Sequence, residues 1–198
     1  MTNPHPSGNA EEEQPGPQLN RIFVGLKMTP EIAGSLAAIA ERIERVPLRL
    51  VSEDDIHLTL VPPWNETSIP DAVEKLSKAL AGFEGFSLSF ERLCYGPERH
   101  RPRLVWVECT ASPEIETLQG ALLEAFGQVN ERPFRPHVTL ARIERNDSAM
   151  ARRHSVDQRL TLAQPIRSVE LFRSPPPGMR GYQVVASLPL SRSRIVEH

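Results

Sequence analysis

The sequence predicts an α+β fold: two lobes related by an approximate twofold, with two mainly antiparallel sheets, helices on the outer faces and a central cleft. Three observations carry this expectation. The tripeptide His-x-Thr occurs twice, at His57-Leu58-Thr59 and His137-Val138-Thr139. Each copy lies in the alternation of a half-buried strand, with Ile56, Leu58 and Leu60, or Val138 and Leu140, on the apolar side. The elements around the copies also repeat in order: strand, helix, His-x-Thr strand. Chance alone would supply about 0.24 such tripeptides in a chain with this composition, so the repetition is read as architecture.

In chain order, residues 1–19 hold Pro, Gly, Asn, Gln and Glu with a single Leu. Such a segment cannot bury enough surface to offset its ordering entropy and is expected to be a disordered tail. The folded two-lobed unit is expected over residues 20–191, with 192–198 as a C-terminal tail. Ile22-Phe23-Val24-Gly25-Leu26 reads as the first strand. Thr29 caps a helix with Pro30 at its first position, and Ile32, Leu36, Ile39, Ile43 and Val46 give it an apolar stripe ending at Pro47. Leu48 to Val51 can form a short strand leading to the first His-x-Thr strand, which Pro62 and Pro63 are expected to end.

A second helix, over about 70–80, presents Val73, Leu76 and Leu80 on one side. Gly82 and Gly85 release the chain into the period-2 strand Phe86-Ser87-Leu88-Ser89-Phe90, which Tyr95-Gly96-Pro97 is expected to turn. Leu104 to Val107 reads as a strand. Ser112 and Pro113 open a helix carrying Ile115, Leu118, Leu122 and Phe126, and Gly127 ends it. Beyond the second His-x-Thr strand the chain is polar to Arg159, consistent with a loop and a short helix. Strands are expected around 165–172 and 182–188. The proline-rich segment from Ser174 to Gly181 between them reads as a long hairpin loop.

Composition narrows the function classes. At 198 residues, 39% hydrophobic and 24% charged, the chain suits one domain or two intimate lobes around a real core. It has no apolar run near 18 residues and no basic-then-apolar start, so neither a membrane span nor a secretory signal is expected and the setting is read as cytoplasmic. Cys94 and Cys109 lie on predicted strands without metal-ligand spacing, which favours packed, reduced thiols. The net charge of −2 argues against a bulk nucleic-acid binder. Without residues 1–19, which hold Glu11, Glu12 and Glu13 and no Lys or Arg, 23 basic residues face 22 acidic ones, a net of +1. Seven Arg lie from Arg132 to Arg159, against Glu144, Asp147 and Asp157. Arg suits bidentate phosphate contacts, so a local anionic ligand fits better than a long duplex. No heptad pattern is present, and a monomer is expected.

Two imidazoles facing one anion supply both halves of acid–base catalysis. His is the side chain whose ordinary pKa lies near neutrality, and a positioned His contributes about 10² to 10⁴-fold to a proton-transfer step. The Thr hydroxyls and one or more Arg would hold the non-bridging phosphate oxygens. The scheme requires neither metal nor cofactor, and no zinc-like ligand spacing is present; Asp54 and Asp55 beside His57 keep a metal site formally open.

The two motifs, His57-Leu58-Thr59-Leu60 and His137-Val138-Thr139-Leu140, stand 80 positions apart. Together with Arg103-Leu104-Val105-Trp106 and Arg132-Pro133-Phe134-Arg135-Pro136, they resemble the two-histidine (2H) phosphoesterase superfamily. Within it, the chain is most similar to the bacterial and archaeal RNA 2′,3′-cyclic phosphodiesterases once called 2′-5′ RNA ligases. The resemblance implies a bilobal fold and metal-independent hydrolysis of a 2′,3′-cyclic phosphate on RNA ends or nucleotides to a 2′-phosphate, with weak reverse 2′-5′ joining. It implies His57 as general acid, His137 as general base, Thr59 and Thr139 as phosphate ligands, and Arg142 as the residue that neutralises the phosphate.

The chain departs from the family where Val61-Pro62-Pro63-Trp64 replaces an aromatic-Leu-Gly run after the first motif, which would alter the cleft rim. Strict alternation would put Arg142 on the face opposite His137 and Thr139, so its role requires a bulge or a strand end. Phe134 and Trp64 are candidates for base stacking, with core or rim packing as the alternative. The rival functions are a 2H-type reaction on another substrate, such as a small cyclic nucleotide or an RNA 3′ end, and a non-catalytic RNA-end binder.

Overall fold

The computed structural model describes residues 19–192 except Arg45, Arg99 and Glu131. The tails expected over 1–19 and 192–198 therefore lie outside the described residues, save Leu19 and Arg192. The strands are β1 (Asn20–Lys27), β2 (Leu48–Leu50), β3 (His57–Glu66), β4 (Phe86–Glu98), β5 (Arg101–Cys109), β6 (His137–Ile143), β7 (Asp157–Ile166), β8 (Ser168–Arg173) and β9 (Gln183–Pro189). The helices are α1 (Pro30–Glu41), α2 (Ile69–Ala79), α3 (Pro113–Ala125) and α4 (Ser148–Arg153). The Thr29 hydroxyl accepts from the Ile32 amide at 3.3 Å, so the predicted cap of α1 forms. None of these helices is long and apolar enough to cross a membrane.

The fold is α+β, and every pairing between its named strands is antiparallel. The two expected sheets are the halves of one continuous sheet in the order β7-β4-β5-β6-β3-β1-β8-β9, with β2 added beside β6. They join at β3 and β6 through a single registered pair, Leu58 with Val138. These are the central residues of the two His-x-Thr motifs, so the pseudo-twofold relates the motifs about this point. It exchanges β3 with β6, β1 with β5, β8 with β4 and β9 with β7. The helices respect it too: α1, which links β1 to β3, packs against β6, and α3, which links β5 to β6, packs against β3. Each crosses the seam. Leu36 and Ile115, from one helix each, are fully buried in the same core cluster as Leu58 and Val138.

Local breaks depart from expectation for physical reasons. β3 continues through Pro62 and Pro63 to Glu66 instead of ending there. The prolines fall in a register shift between Val61 and Trp64, opposite Phe23. There β3 has already parted from β6, so their missing N–H groups interrupt no ladder on that side. β4 likewise runs past the expected turn at Tyr95-Gly96-Pro97 and pairs with β5 as far as Glu98 and Arg101. α1 stops at Glu41, short of the Ile43 and Val46 stripe. β7 begins at Asp157 inside the segment expected to be loop; it pairs only with β4, and its exposed polar edge gave no apolar signal.

Candidate active site

Both motifs present their His and Thr side chains through the same backbone device. In β6 the pairing with β5 passes from Trp106 with Thr139 to Val105 with Ala141, leaving Leu140 as an extra residue. In β3 the pairing with β1 passes from Gly25 with Thr59 to Val24 with Val61, leaving Leu60 as its counterpart. Each motif thus ends in a bulge one residue after its Thr, and two consecutive residues turn inward: Leu60 and Val61, Leu140 and Ala141 are all buried. The bulge reverses the alternation. It brings exposed Arg142 to the side of His137 and Thr139, which strict alternation forbids, and all three line one cleft.

Antiparallel pairing about Leu58 and Val138 sets His57 across from Thr139 and Thr59 across from His137. Each ring is oriented by its own chain: the Nδ1 of His57 lies 2.6 Å from the Asp55 carbonyl, and the Nδ1 of His137 lies 2.7 Å from the Arg135 carbonyl. A carbonyl only accepts, so each neutral ring carries its hydrogen on Nδ1 and keeps the Nε2 lone pair for a ligand. Burial lowers both pKa values below the ordinary 6.5. Against that dominant effect, Asp55 raises His57, while His137 and Arg142 lower it further. At His137 the Arg135 carbonyl hydrogen bond raises the pKa, the Arg135 charge lowers it and Glu108 raises it.

The rings are held by unlike neighbours. His57 lies 4.8 Å from the Phe23 ring and 5.4 Å from Phe172, and Tyr182 meets it edge-on at 5.1 Å. His137 lies 4.2 Å from Trp106. Trp106 donates from Nε1 to the Cys94 sulfur at 3.2 Å, and Arg135 covers its ring at 5.2 Å while bonding Glu108 at 2.5 Å. Gly96 lies under the indole: a Cβ there would fall 2.3 Å from the ring. Cys94 and Cys109 are buried free thiols, and desolvation pushes Cys109 up to about 12.

The cleft encloses about 760 Å³ and contains His57, Thr59, His137, Thr139 and Arg142, all singled out in the sequence. Phe134 and Trp64, the stacking candidates, are not on its lining. Both are half-buried and pack against the hydrophobic core, Trp64 with its ring 4.7 Å from Phe126 of the α3 cap. Other lining residues were not legible. Pro175, Met179, Arg180 and Tyr182 come from the β8–β9 connector, whose Pro and Gly content signals only a turn. That connector is tied down where the Tyr182 amide donates to the Asp55 carboxylate at 2.7 Å. Arg49 of β2 also lines the cleft, and its partner across the ladder is Arg142. Among the described residues no group of three or more His, Cys, Asp and Glu could hold a metal ion.

Two uncharged imidazoles with free Nε2 atoms, two hydroxyls and guanidinium groups around one space can bind a tetrahedral anion and move a proton at either end of it. Comparison with known proteins identifies a family and relatives. A model of the 2′-5′ RNA ligase superfamily matches residues 31–174. A Thermotoga maritima protein named RNA 2′,3′-cyclic phosphodiesterase is 26% identical over 131 residues, covering 63% of this chain and 70% of that one. An Aeropyrum pernix protein of the same name is 34% identical over 122 residues, covering 57% and 68%. In fold, the chain is similar to a Thermus thermophilus crystal structure at a TM-score of 0.70 and 21% identity, covering 86% of this chain and 97% of the other. E. coli LigT complexed with 3′-AMP gives 0.63 and 21%, covering 88% and 100%.

Proposed function

This chain belongs to the 2′-5′ RNA ligase superfamily of two-histidine phosphoesterases, and we propose that its cleft hydrolyses RNA 2′,3′-cyclic phosphate ends to 2′-phosphates without a metal. The observation that carries the proposal is the matched pair of His rings, each bonded through Nδ1 to its own chain and each lining one cleft with a Thr. His137 takes a proton from water through Nε2 as the water oxygen attacks phosphorus. The bond from phosphorus to O3′ breaks on the opposite side, and His57, protonated on Nε2, gives its proton to that oxygen. Thr59, Thr139 and Arg142 hold the non-bridging oxygens and the charge that grows on them. Anionic phosphate favours the protonated form of His57, offsetting the burial that disfavours it. With a ribose 5′-hydroxyl in place of water, the same groups would weakly join two ends: His137 takes the hydroxyl proton, its oxygen attacks phosphorus, and O3′ leaves with the proton from His57, giving a 2′-5′ phosphodiester.

The catalytic unit in this proposal is the two-lobed fold of residues 20–191, acting as a cytoplasmic monomer on RNA ends or nucleotides. The test is product analysis in EDTA, using the four nucleoside 2′,3′-cyclic monophosphates and a short RNA with a cyclic end. The expected product is the 2′-phosphate alone, with turnover reduced about 10² to 10⁴-fold in each of His57→Ala and His137→Ala. Activity that survives both replacements, or that requires added metal, would overturn the mechanism.

A further inference from the structure

Arg49 extends this reading beyond the reacting phosphate. β2 pairs with β6 on the edge from which β3 has parted, and the register sets Arg49 directly opposite Arg142. Both side chains are exposed and both line the cleft. Like charges directly opposed across a ladder are unfavourable, yet neither Arg has a carboxylate partner among the described residues. Glu41 and Glu53 line the same cleft without bonding either one. An arrangement that sets two guanidinium groups side by side suits a ligand carrying more than one negative charge along its length.

The two positions are not equivalent. Arg142 stands on the motif strand β6 itself, and its charge is felt at His57. Arg49 stands one strand farther out, on β2, which is added beside β6. The opposite wing of the cleft is formed by Phe23, Pro63, Pro175, Met179 and Tyr182, with Arg180 as its one cation. A polyanion leaving the cleft over β2 meets two guanidinium groups, Arg142 and Arg49, and one leaving over the connector meets a single one.

We infer that Arg49 forms a second phosphate subsite, which binds the phosphodiester upstream of the cyclic end and makes an RNA oligonucleotide the preferred substrate over a cyclic mononucleotide. This rests on the phosphodiesterase reading, and one experiment separates the two. Steady-state kinetics would compare a 2′,3′-cyclic mononucleotide with a pentanucleotide bearing the same cyclic end, for the wild type and for Arg49→Gln. In Arg49→Gln the kcat/KM preference for the pentanucleotide should fall about tenfold, and the slope of log kcat/KM against log salt for that substrate should shrink by about 0.7. Arg49→Lys, which keeps the charge, should retain the slope. Equal losses on both substrates, or no loss of preference, would overturn the subsite.

If the wild type hydrolyses neither substrate, the phosphodiesterase reading falls and the subsite is judged by binding alone. Fluorescence anisotropy with the same pentanucleotide ending in a 2′-phosphate should then still show weaker, less salt-dependent binding in Arg49→Gln. Unaltered affinity and slope would overturn it.

Discussion

Leu58 and Val138 are the one registered pair between β3 and β6, and both are fully buried. The join between the halves of the sheet is thus also the point about which the two His-x-Thr motifs are arranged. Leu58→Ala should cost about 2–5 kcal/mol of stability by opening a cavity. It should also lower turnover by more than the loss of folded protein explains, because the spacing of His57 and His137 is set there. Urea denaturation together with turnover per folded molecule measures both effects.

The pH dependence follows from burial of the rings, which holds both His57 and His137 below 6.5 in the free cleft. The kcat/KM profile reports the free enzyme. It should rise with pH as His137 loses its proton and fall as His57 loses the one it donates, with its maximum on the acid side of 6.5. In kcat, bound phosphate should shift the alkaline limb upward. Stability has its own sign. The unfolded rings take up protons near 6.5 and the folded rings only at lower pH, so their contribution is complete above 6.5 and is lost as pH falls through the folded values. Urea midpoints at pH 7.5 and 5 should differ more for the wild type than for the double variant His57→Gln, His137→Gln.

Gly96 should tolerate no side chain. A Cβ would fall 2.3–2.5 Å from three atoms of the Trp106 indole, the ring whose centroid lies 4.2 Å from that of His137 at a tilt of 46°. Gly96→Ala should lower stability by about 1–3 kcal/mol through overpacking. It should also shift the His137 limb of the pH profile, which NMR titration of that imidazole can follow directly.

Asp55 serves His57 through its carbonyl and the β8–β9 connector through its carboxylate. Asp55→Ala keeps the first bond and removes the second. The expected result is a several-fold increase in KM as Pro175, Met179 and Tyr182 lose their anchor, with a smaller effect on kcat. A fall confined to kcat would instead point to the Asp55 charge acting on His57.

The motifs and the repeated element order were legible because strand alternation and helix capping are local. Arg142 was legible as a residue and not as a position, since alternation alone puts it on the wrong face and only the pairing with β5 reveals the bulge at Leu140. Pro62 and Gly96-Pro97 misled for a related reason: whether a proline ends a strand depends on what lies across the ladder. Phe134 and Trp64 are aromatic and near the motifs in sequence, yet both pack partly against the core and neither lines the cleft. Arg49, Tyr182 and Phe23 could be placed only once β2, β8 and β9 had partners, because no periodicity reports which strands become neighbours.

The two bulges carry one further consequence. Beyond Leu140 stands Arg142, while beyond Leu60, at the equivalent place, stands Pro62. A perfectly twofold site would present the same face to a cyclic phosphate turned end for end, and either ring could then serve either oxygen. Positive charge at only one of two matched positions removes that degeneracy. In the proposed mechanism, the regiochemistry of ring opening would thus be set less by the twin histidines than by the place where the chain's symmetry fails.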